Sequence, residues 1–229
     1  MKLRVKYRVT EAGRFLGHLD LTRTIMKILR RAQIPVMLSE GFNPHPKLSF
    51  AMPLSLGHTA EGEYFEVVLT ETMAEDEFTD RLNQCSPEAI IVTEVKEIKE
   101  KQESMSSQIN CAIYHVSFTA DAEKEILQQV ITDILESDTI IIEKKSKRNI
   151  KEANIRPLIF DLRLLEERPN DCFVLEAVIA HGSTENLKIS DLLTLFQTNI
   201  QQNIFADALI TRVGLYVKEG NAIRTLMDF

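Results

Sequence analysis

Long apolar runs are missing from this chain of 229 residues. Nowhere do about 18 or more apolar residues follow one another, which is the length that a membrane-spanning helix needs. The first ten residues, MKLRVKYRVT, alternate charged and apolar side chains instead of forming the apolar block of a signal peptide. Since 44% of the residues are hydrophobic, the chain can still bury a core of its own. We therefore expect a globular, cytoplasmic protein with no membrane segment.

Cysteine is also scarce, with only Cys85, Cys111 and Cys172, and no two of them are close together. We interpret these three residues as core thiols. The sequence contains no CxxxCxxC for an iron–sulfur cluster, no GxxxxGK[ST] or GxGxxG phosphate loop, no HExxH and no GxSxG. The standard cofactor-dependent enzyme classes are therefore without support, and we expect neither a cofactor nor a bound metal.

Basic residues are fewer than acidic ones overall, and the formal net charge is -7. The basic residues that are present concentrate in residues 1–50, which contain ten Lys and Arg against three acidic residues. The rest of the chain contains 17 basic and 31 acidic residues. This asymmetry indicates one surface suited to an anion on an otherwise acidic body, although ordinary solvated basic faces would give the same counts.

Hydrophobic periodicity predicts the order of elements in the first half. Apolar residues at helical spacing predict a helix over 18–33, whose other side carries Arg23, Lys27, Arg30 and Arg31, and Pro35 ends it. Alternating residues predict strands at 4–10, 36–39, 62–70 and 89–98, and a second helix is predicted at 73–85. This order is the βαββαβ pattern of a ferredoxin-like unit.

The second half repeats the plan after a polar segment, 101–110, that we interpret as a linker. Helices are predicted at 122–136 and 189–199, and strands at 112–118, 139–145, 158–166, 172–180 and 209–216. A basic excursion over 144–156 interrupts this half. We therefore predict an α+β protein with two ferredoxin-like halves in tandem, 1–100 and 111–229, and mostly antiparallel sheets.

The first place that could support chemistry is the start of the first helix. Asp20 would complement the helix macrodipole there, and free amides at a helix start can bind phosphate. His18 and Asp20 are candidate catalytic residues, but they converge only if His18 lies just before the helix. In the alternative interpretation, Asp20 caps the helix and His18 has no role.

The second place is SEGFNPHPK, residues 39–47, in which Pro44 and Pro46 flank His45. The two prolines hold the backbone extended and remove two amide donors, so the segment should pair poorly with a strand. It would instead present side chains that suit a nucleotide or another planar anion, with Glu40, Asn43, His45 and Lys47 as candidate ligand-binding residues. The alternative is that the prolines only protect a sheet edge.

The third place is the excursion over 144–156, which contains six basic residues and one acidic residue. Its candidate ligand-binding residues are Lys147, Arg148 and Arg156. Together with Arg23 and Lys27 of the first half, they could line one cleft. Exposed basic loops are common, however, so the excursion by itself is a weak indication.

Several motifs occur in a fixed order: GHLD, SEGFNPHPK, SFAMPLSLG and EGEY between Gly17 and Val67, and IRPLI at residues 155–159. In these motifs the chain resembles a bacterial family of radical-SAM-linked proteins of unknown function. It departs from that family at Asn154, where an acidic residue is typical. Family members occur beside, or fused to, a radical SAM protein with a cobalamin-binding-type domain. The resemblance therefore implies a radical SAM partner, and the missing cluster cysteines identify this chain as the linked protein.

Three functions are open at this point. The chain could be an accessory substrate-handling module that binds RNA, such as tRNA or rRNA, or another anionic ligand for the radical SAM partner. It could be an RNA-processing enzyme that uses His18 and His45 as an acid–base pair, or that holds a metal with them, Asp20 and Glu40. It could also be a protein-interaction domain that docks on the partner.

Overall fold

A computed structural model describes residues 1–99, 102–145, 150–168 and 172–229. The chain forms two compact units, one of Met1–Ile109 with Thr211–Phe229, and the other of Asn110–Ile210. The order of predicted elements places all of 111–229 in the second half, whereas the structure groups Thr211–Phe229 with the first. No helix within the described ranges is long and apolar enough to cross a membrane.

The first unit has the strand order of a ferredoxin-like fold. Its elements before the second unit are β1 (Lys2–Val9), α1 (His18–Arg31), β2 (Leu48–Phe50), β3 (Thr59–Val68), α2 (Glu75–Cys85), β4 (Ile90–Glu97) and α3 (Met105–Gln108). Its strands lie in the order β4-β1-β3-β2, and each neighbouring pair is antiparallel. The predicted α+β class with a mostly antiparallel sheet is confirmed.

The second strand of this unit lies later in the chain than hydrophobic alternation predicts. Residues 36–39 make only isolated bridges, and the strand that pairs with β3 is β2, which follows the two prolines. The segment predicted as a linker also contains α3, whose Met105 is buried. The strand differs because pairing with β3, which periodicity does not report, selects its residues. Helix α3 has only four residues, too few for hydrophobic periodicity to reveal.

Helix α1 has an apolar side, which packs in the core of the first unit, and a basic side. Leu21, Ile25, Ile28 and Leu29 of α1 are buried in one cluster with residues of β1, including Val5 and Tyr7. These α1 positions recur at helical spacing and define the face that packs on the sheet. The opposite face of the helix, with its four basic residues, is left to solvent.

The described part of the second unit contains three neighbouring antiparallel strands of a sheet, a separate two-stranded ribbon and two α-helices. Its elements are β5 (Cys111–Thr119), α4 (Lys124–Glu136), β6 (Ile141–Lys145), β7 (Ile150–Asn154), β8 (Ile159–Arg168), β9 (Cys172–Ala180) and α5 (Ile189–Ile200). The sheet has the order β5-β9-β8, and β6 pairs with β7. Most of the predicted basic excursion is therefore a β-ribbon.

The chain returns to the first unit within a single strand. This strand, β10 (Leu209–Glu219), is followed by β11 (Ala222–Thr225) and a short 3-10 helix, Leu226–Asp228. Thr211 and Arg212 of β10 pair in parallel with Thr59 and Ala60 of β3. The carbonyl of Leu226 accepts a hydrogen bond from the Arg4 guanidinium of β1. These contacts explain why the last residues belong to the first unit.

Candidate functional site

A cavity of about 480 Å³ lies in the first unit, between α1 and the segment that follows this helix. Six apolar and three basic residues line it: Met26, Leu29, Ile34, Val36, Leu38 and Pro46, with Arg23, Lys27 and Arg30. No acidic side chain contributes to this lining within the part of the chain that the structure describes. Its volume lies in the range typical of small-molecule sites. The cavity therefore combines apolar walls with positive charge.

The basic side of the cavity comes from one face of α1. Arg23, Lys27 and Arg30 follow one another at spacings of four and three residues, which places them on neighbouring turns of the same face. All three side chains are exposed. Arg23 Nη1 lies 3.3 Å from Asp20 Oδ1, but both side chains are more than 60% exposed, so this pair is weak. Neither Lys27 nor Arg30 forms an ion pair with a described residue.

The other side of the cavity is a hairpin built around residues 39–45. Ser39 N donates to His45 O at 2.8 Å, and Lys47 N donates to Met37 O at 2.8 Å. Leu38 and Pro46 lie opposite each other between these two hydrogen bonds, in the position where an antiparallel ladder uses no amide donor. The pairing of this segment is limited to the isolated Leu38–Pro46 bridge, and no strand forms over residues 39–47.

The hairpin is attached to the sheet next to it. Met37 N donates to Val68 O at 2.7 Å, and Val68 N donates to Lys47 O at 3.0 Å. These bonds connect the hairpin to the end of β3, whose register with β1 is fixed along most of the strand. The apolar wall of the cavity consequently has a defined position relative to α1.

His45 closes the hairpin and is exposed. Its ring Nδ1 lies 2.9 Å from Ser39 Oγ and 3.3 Å from Asn43 O. The backbone N–H of His45 donates to the same Ser39 Oγ at 3.1 Å. Ser39 and His45 thus join the two arms of the hairpin, which is a structural use of the residue predicted to be catalytic.

The other two candidate catalytic residues have different partners. His18 is the first residue of α1, and its ring packs edge-to-face on Phe50 of β2 with centroids 5.8 Å apart. Asp20 is exposed and pairs with Arg23. Neither these two residues nor His45 lines the cavity. The proposed acid–base role of His18 and His45 stays a prediction.

His18, Asp20, Glu40 and His45 are also the candidate ligands of a metal centre. Across the described ranges, no group of three or more His, Cys, Asp or Glu side chains lies close enough to hold a metal ion. These four residues are all described, so they do not form such a group.

The remaining ligand-binding predictions divide between the two units. Arg23 and Lys27 line the cavity, and their helical spacing could also have identified Arg30. Glu40, Asn43 and Lys47 are exposed on or beside the hairpin but do not line the cavity. Lys147 and Arg148 lie outside the described residues.

Arg156, a predicted ligand-binding residue, bonds to carbonyls of its own unit. Its Nη2 and Nε donate to Leu135 O at 2.6 and 3.2 Å, and its Nη1 donates to Ile159 O at 2.8 Å. Leu135 is in the last turn of α4, whose carbonyls have no partners within the helix. Arg156 therefore caps α4, and its role in ligand binding stays a prediction.

Several basic residues of the N-terminal strand are neutralised, so the count over residues 1–50 overstates the exposed positive charge. Arg4 is fully buried and bonds through Nη2 to Glu66 Oε1 at 2.8 Å. Lys2 Nζ lies 2.6 Å from Glu66 Oε2, and Arg8 pairs with Glu61. The positive surface of the first unit is accordingly concentrated on α1.

A second buried pair, which sequence reasoning missed, supports the EGEY segment. Arg212 Nε and Nη2 donate to the two carboxylate oxygens of Glu63, both at 2.6 Å, and both residues are about 1% exposed. Arg212 Nη1 also donates to Pro53 O at 3.0 Å, which fixes the loop after β2. Burial raises the pKa of nearby Tyr7 well above its usual value, and the Glu63 charge raises it further. No local pattern connects Glu63 with a partner 149 residues away.

Comparison with known proteins gives a family description and a distant structural likeness. Residues 2–189 match the model of a family described as an uncharacterized protein conserved in bacteria. None of the curated proteins compared with the chain matches it. A solved structure, "Crystal Structure of a Cbf5-Nop10-Gar1 Complex", has a TM-score of 0.45 and 10% identity, over 95% of this chain and 54% of that chain. The chain thus spans about half the length of that protein, and the likeness is too low to support an inference.

Proposed function

Because this chain belongs to the uncharacterized bacterial family DUF2344, whose description names no activity, we propose from its own surface that it binds RNA as an accessory module. The observation that carries the proposal is the α1 cavity, with Arg23, Lys27 and Arg30 beside apolar walls. A nucleotide has the matching composition, because it joins an anionic phosphate to a planar base.

The basic residues and the apolar walls of the cavity each suit a different part of an RNA chain. Arg and Lys side chains form charge-assisted hydrogen bonds with phosphate oxygens, and Arg can do so through two parallel bonds. Apolar walls suit the face of an unpaired base. Three phosphate contacts would make log K fall with log salt concentration with a slope of about -2, because single strands release about 0.7 counterion per contact.

The proposed partner is a radical SAM protein, and the resemblance to radical-SAM-linked proteins supports this choice. The bound RNA, a tRNA or rRNA, is presented by this chain to a radical SAM protein that performs the chemistry. The chain itself then needs neither a cofactor nor a metal. Its task is to hold an anionic substrate.

The proposal is tested with two adjacent arginines of α1. Arg30 lines the cavity and Arg31 does not, although both are exposed and lie in the last turn of the helix. We expect Arg30→Ala to weaken binding of a labelled RNA of roughly ten nucleotides by about tenfold, as the loss of one charged hydrogen bond implies. Arg31→Ala, the matched control, removes the same charge and should stay within about twofold. Fluorescence anisotropy at several salt concentrations measures both.

Two results would overturn the proposal. One is that the unaltered protein does not bind RNA at low salt. The other is that Arg30→Ala and Arg31→Ala weaken binding equally, because the effect would then be one of net charge and not of the cavity. Loss of binding to a co-purified radical SAM protein in Arg30→Ala, with no RNA affinity in any variant, would identify the surface as a protein-docking site instead.

A further inference from the structure

The hairpin over residues 39–45 presents a fully exposed aromatic side chain, Phe42, at its tip. Gly41 has a φ of 126°, a left-handed conformation that glycine adopts readily and that allows the chain to turn there. The bonds between Ser39 and His45 close the base of the hairpin. The ring of Phe42 is therefore held away from the core on a closed hairpin, with no described residue covering it.

The tip stands close to the cavity. Leu38 and Pro46 line the cavity, and Phe42 lies four residues from each of them. At a rise of about 3.3 Å per residue, the chain between them spans at most about 13 Å. A chain-like ligand that leaves the cavity along the hairpin would thus reach Phe42 within a few of its monomers.

The charges near the Phe42 ring indicate the kind of ligand that it would contact. Lys47 is exposed beside the hairpin, and Arg23, Lys27 and Arg30 border the cavity. An aromatic ring beside cationic side chains is the arrangement with which proteins bind single-stranded nucleic acid, since bases stack on the ring while the phosphates meet the charges.

We infer that the RNA bound here is single-stranded, with one base in the α1 cavity and a neighbouring base stacked on Phe42. This inference rests on the proposed function and deepens it by naming the form of RNA. In a duplex the faces of the bases are covered by their neighbours, and the major groove of A-form RNA is too deep and narrow for side chains to read. Both the cavity and Phe42 require a free base face, which only an unpaired segment supplies.

The inference is tested by comparing one RNA strand of roughly ten nucleotides with the same strand annealed to its complement. We expect the single strand to bind at least about tenfold more tightly than the duplex. Phe42→Ala should weaken single-strand binding by about tenfold, which is the effect of losing one stacked base, and leave duplex binding and the salt dependence unchanged. Phe42→Tyr, which keeps the ring, should bind within about twofold of the unaltered protein.

Phe15→Ala is the matched control, because Phe15 is another exposed phenylalanine of the first unit, is 68% exposed, and lies outside the cavity lining. It should bind the single strand within about twofold of the unaltered protein. Since Phe42 is fully exposed, its replacement does not remove core contacts, and circular dichroism should be the same for all variants.

Equal affinity for the two forms of RNA, or equal effects of Phe42→Ala and Phe15→Ala, would overturn the inference. If Arg30→Ala still weakens binding in that case, the proposed RNA function stands and only the single-strand inference fails. If Arg30→Ala has no effect on either form, the proposed function itself fails. An effect of Phe42→Ala only on capture of a protein partner would also overturn the inference.

Discussion

Helices α1 and α4 hold equivalent places in their units, because each follows the first strand of its unit and buries an apolar stripe. The buried residues of α1 are Leu21, Ile25, Ile28 and Leu29, and those of α4 are Leu127, Val130, Ile131 and Ile134. The carbonyls at the end of each helix are also bound by an arginine from elsewhere in its unit. Arg81 donates to Ala32 O and Gln33 O after α1, and Arg156 donates to Leu135 O of α4.

The solvent faces of the two helices differ in charge. α1 contains four basic residues and one acidic residue, whereas α4 contains one basic and three acidic residues. The depression of about 680 Å³ at the start of α4 is lined by three acidic residues, Asp121, Glu123 and Glu125, and by Lys124. The same arrangement of strand and helix therefore supports an anion-attracting surface in one unit and an acidic surface in the other.

The comparison shows that different residue positions determine the fold of each unit, here called the framework, and the candidate site on α1. The framework depends on buried apolar residues and capping arginines, which the two units share. The site depends on exposed positions of α1 and on the hairpin that follows it. Substitutions can consequently be chosen that alter one and leave the other unchanged.

The largest expected effect concerns the buried charges, which also distinguish the units. Arg4, Glu63, Glu66 and Arg212 are buried in the first unit, and no buried charged residue occurs in the described part of the second. Arg212→Ala would leave Glu63 buried without its partner and should lower the free energy of unfolding by about 3–5 kcal/mol. Urea denaturation followed by circular dichroism measures this loss.

Arg163→Ala in the second unit is the control for that prediction. Arg163 pairs with Asp161, but its side chain is 65% exposed, so the loss should stay below about 0.5 kcal/mol. Similar losses for Arg212→Ala and Arg163→Ala would contradict the view that the first unit depends on its buried pairs.

An intermediate effect is expected for the two capping arginines. Arg81→Ala and Arg156→Ala each remove several hydrogen bonds to carbonyls at a helix end, and each should lower the free energy of unfolding by about 1–3 kcal/mol. RNA affinity should change by less than about twofold in both, since neither side chain lines the cavity. Tenfold weaker RNA binding by Arg156→Ala with unchanged stability would instead support its predicted role in ligand binding.

The smallest effect is a pH dependence that belongs to the first unit. Burial lowers the pKa of His58, and the nearby Arg212 charge lowers it further. The unfolded state therefore binds a proton at a higher pH than the folded state does, and stability falls as the pH drops below the unfolded pKa of about 6.5. Replacement by glutamine, His58→Gln, should flatten this fall in thermal unfolding between pH 7 and 5. An unchanged slope would assign the fall to other groups.

The sequence predicts the helices well because their apolar stripes are local. The predicted helix over 18–33 corresponds to α1, and that over 189–199 corresponds to α5. The second strand is not predicted in this way, because pairing with β3 and not local alternation determines that Leu48–Phe50 forms a strand.

The candidate site is only partly readable from the sequence for a related reason. The spacing of Arg23 and Lys27 on α1 is local, and both line the cavity. Whether Arg4 or Arg156 is available to a ligand depends instead on partners far along the chain, such as Glu66 and Leu135. The position of Pro46 opposite Leu38 depends likewise on hairpin register, which composition does not reveal.

The return of the chain to the first unit within β10 has a consequence for biosynthesis. When residues 1–109 leave the ribosome, Glu63 still lacks Arg212, which follows it by 149 residues, and Arg4 lacks Leu226, which follows it by 222 residues. The first unit is therefore incomplete until translation has passed the whole second unit. Contacts of such long sequence separation slow folding and leave apolar surface exposed in the meantime. The second unit, Asn110–Ile210, is by contrast continuous in sequence.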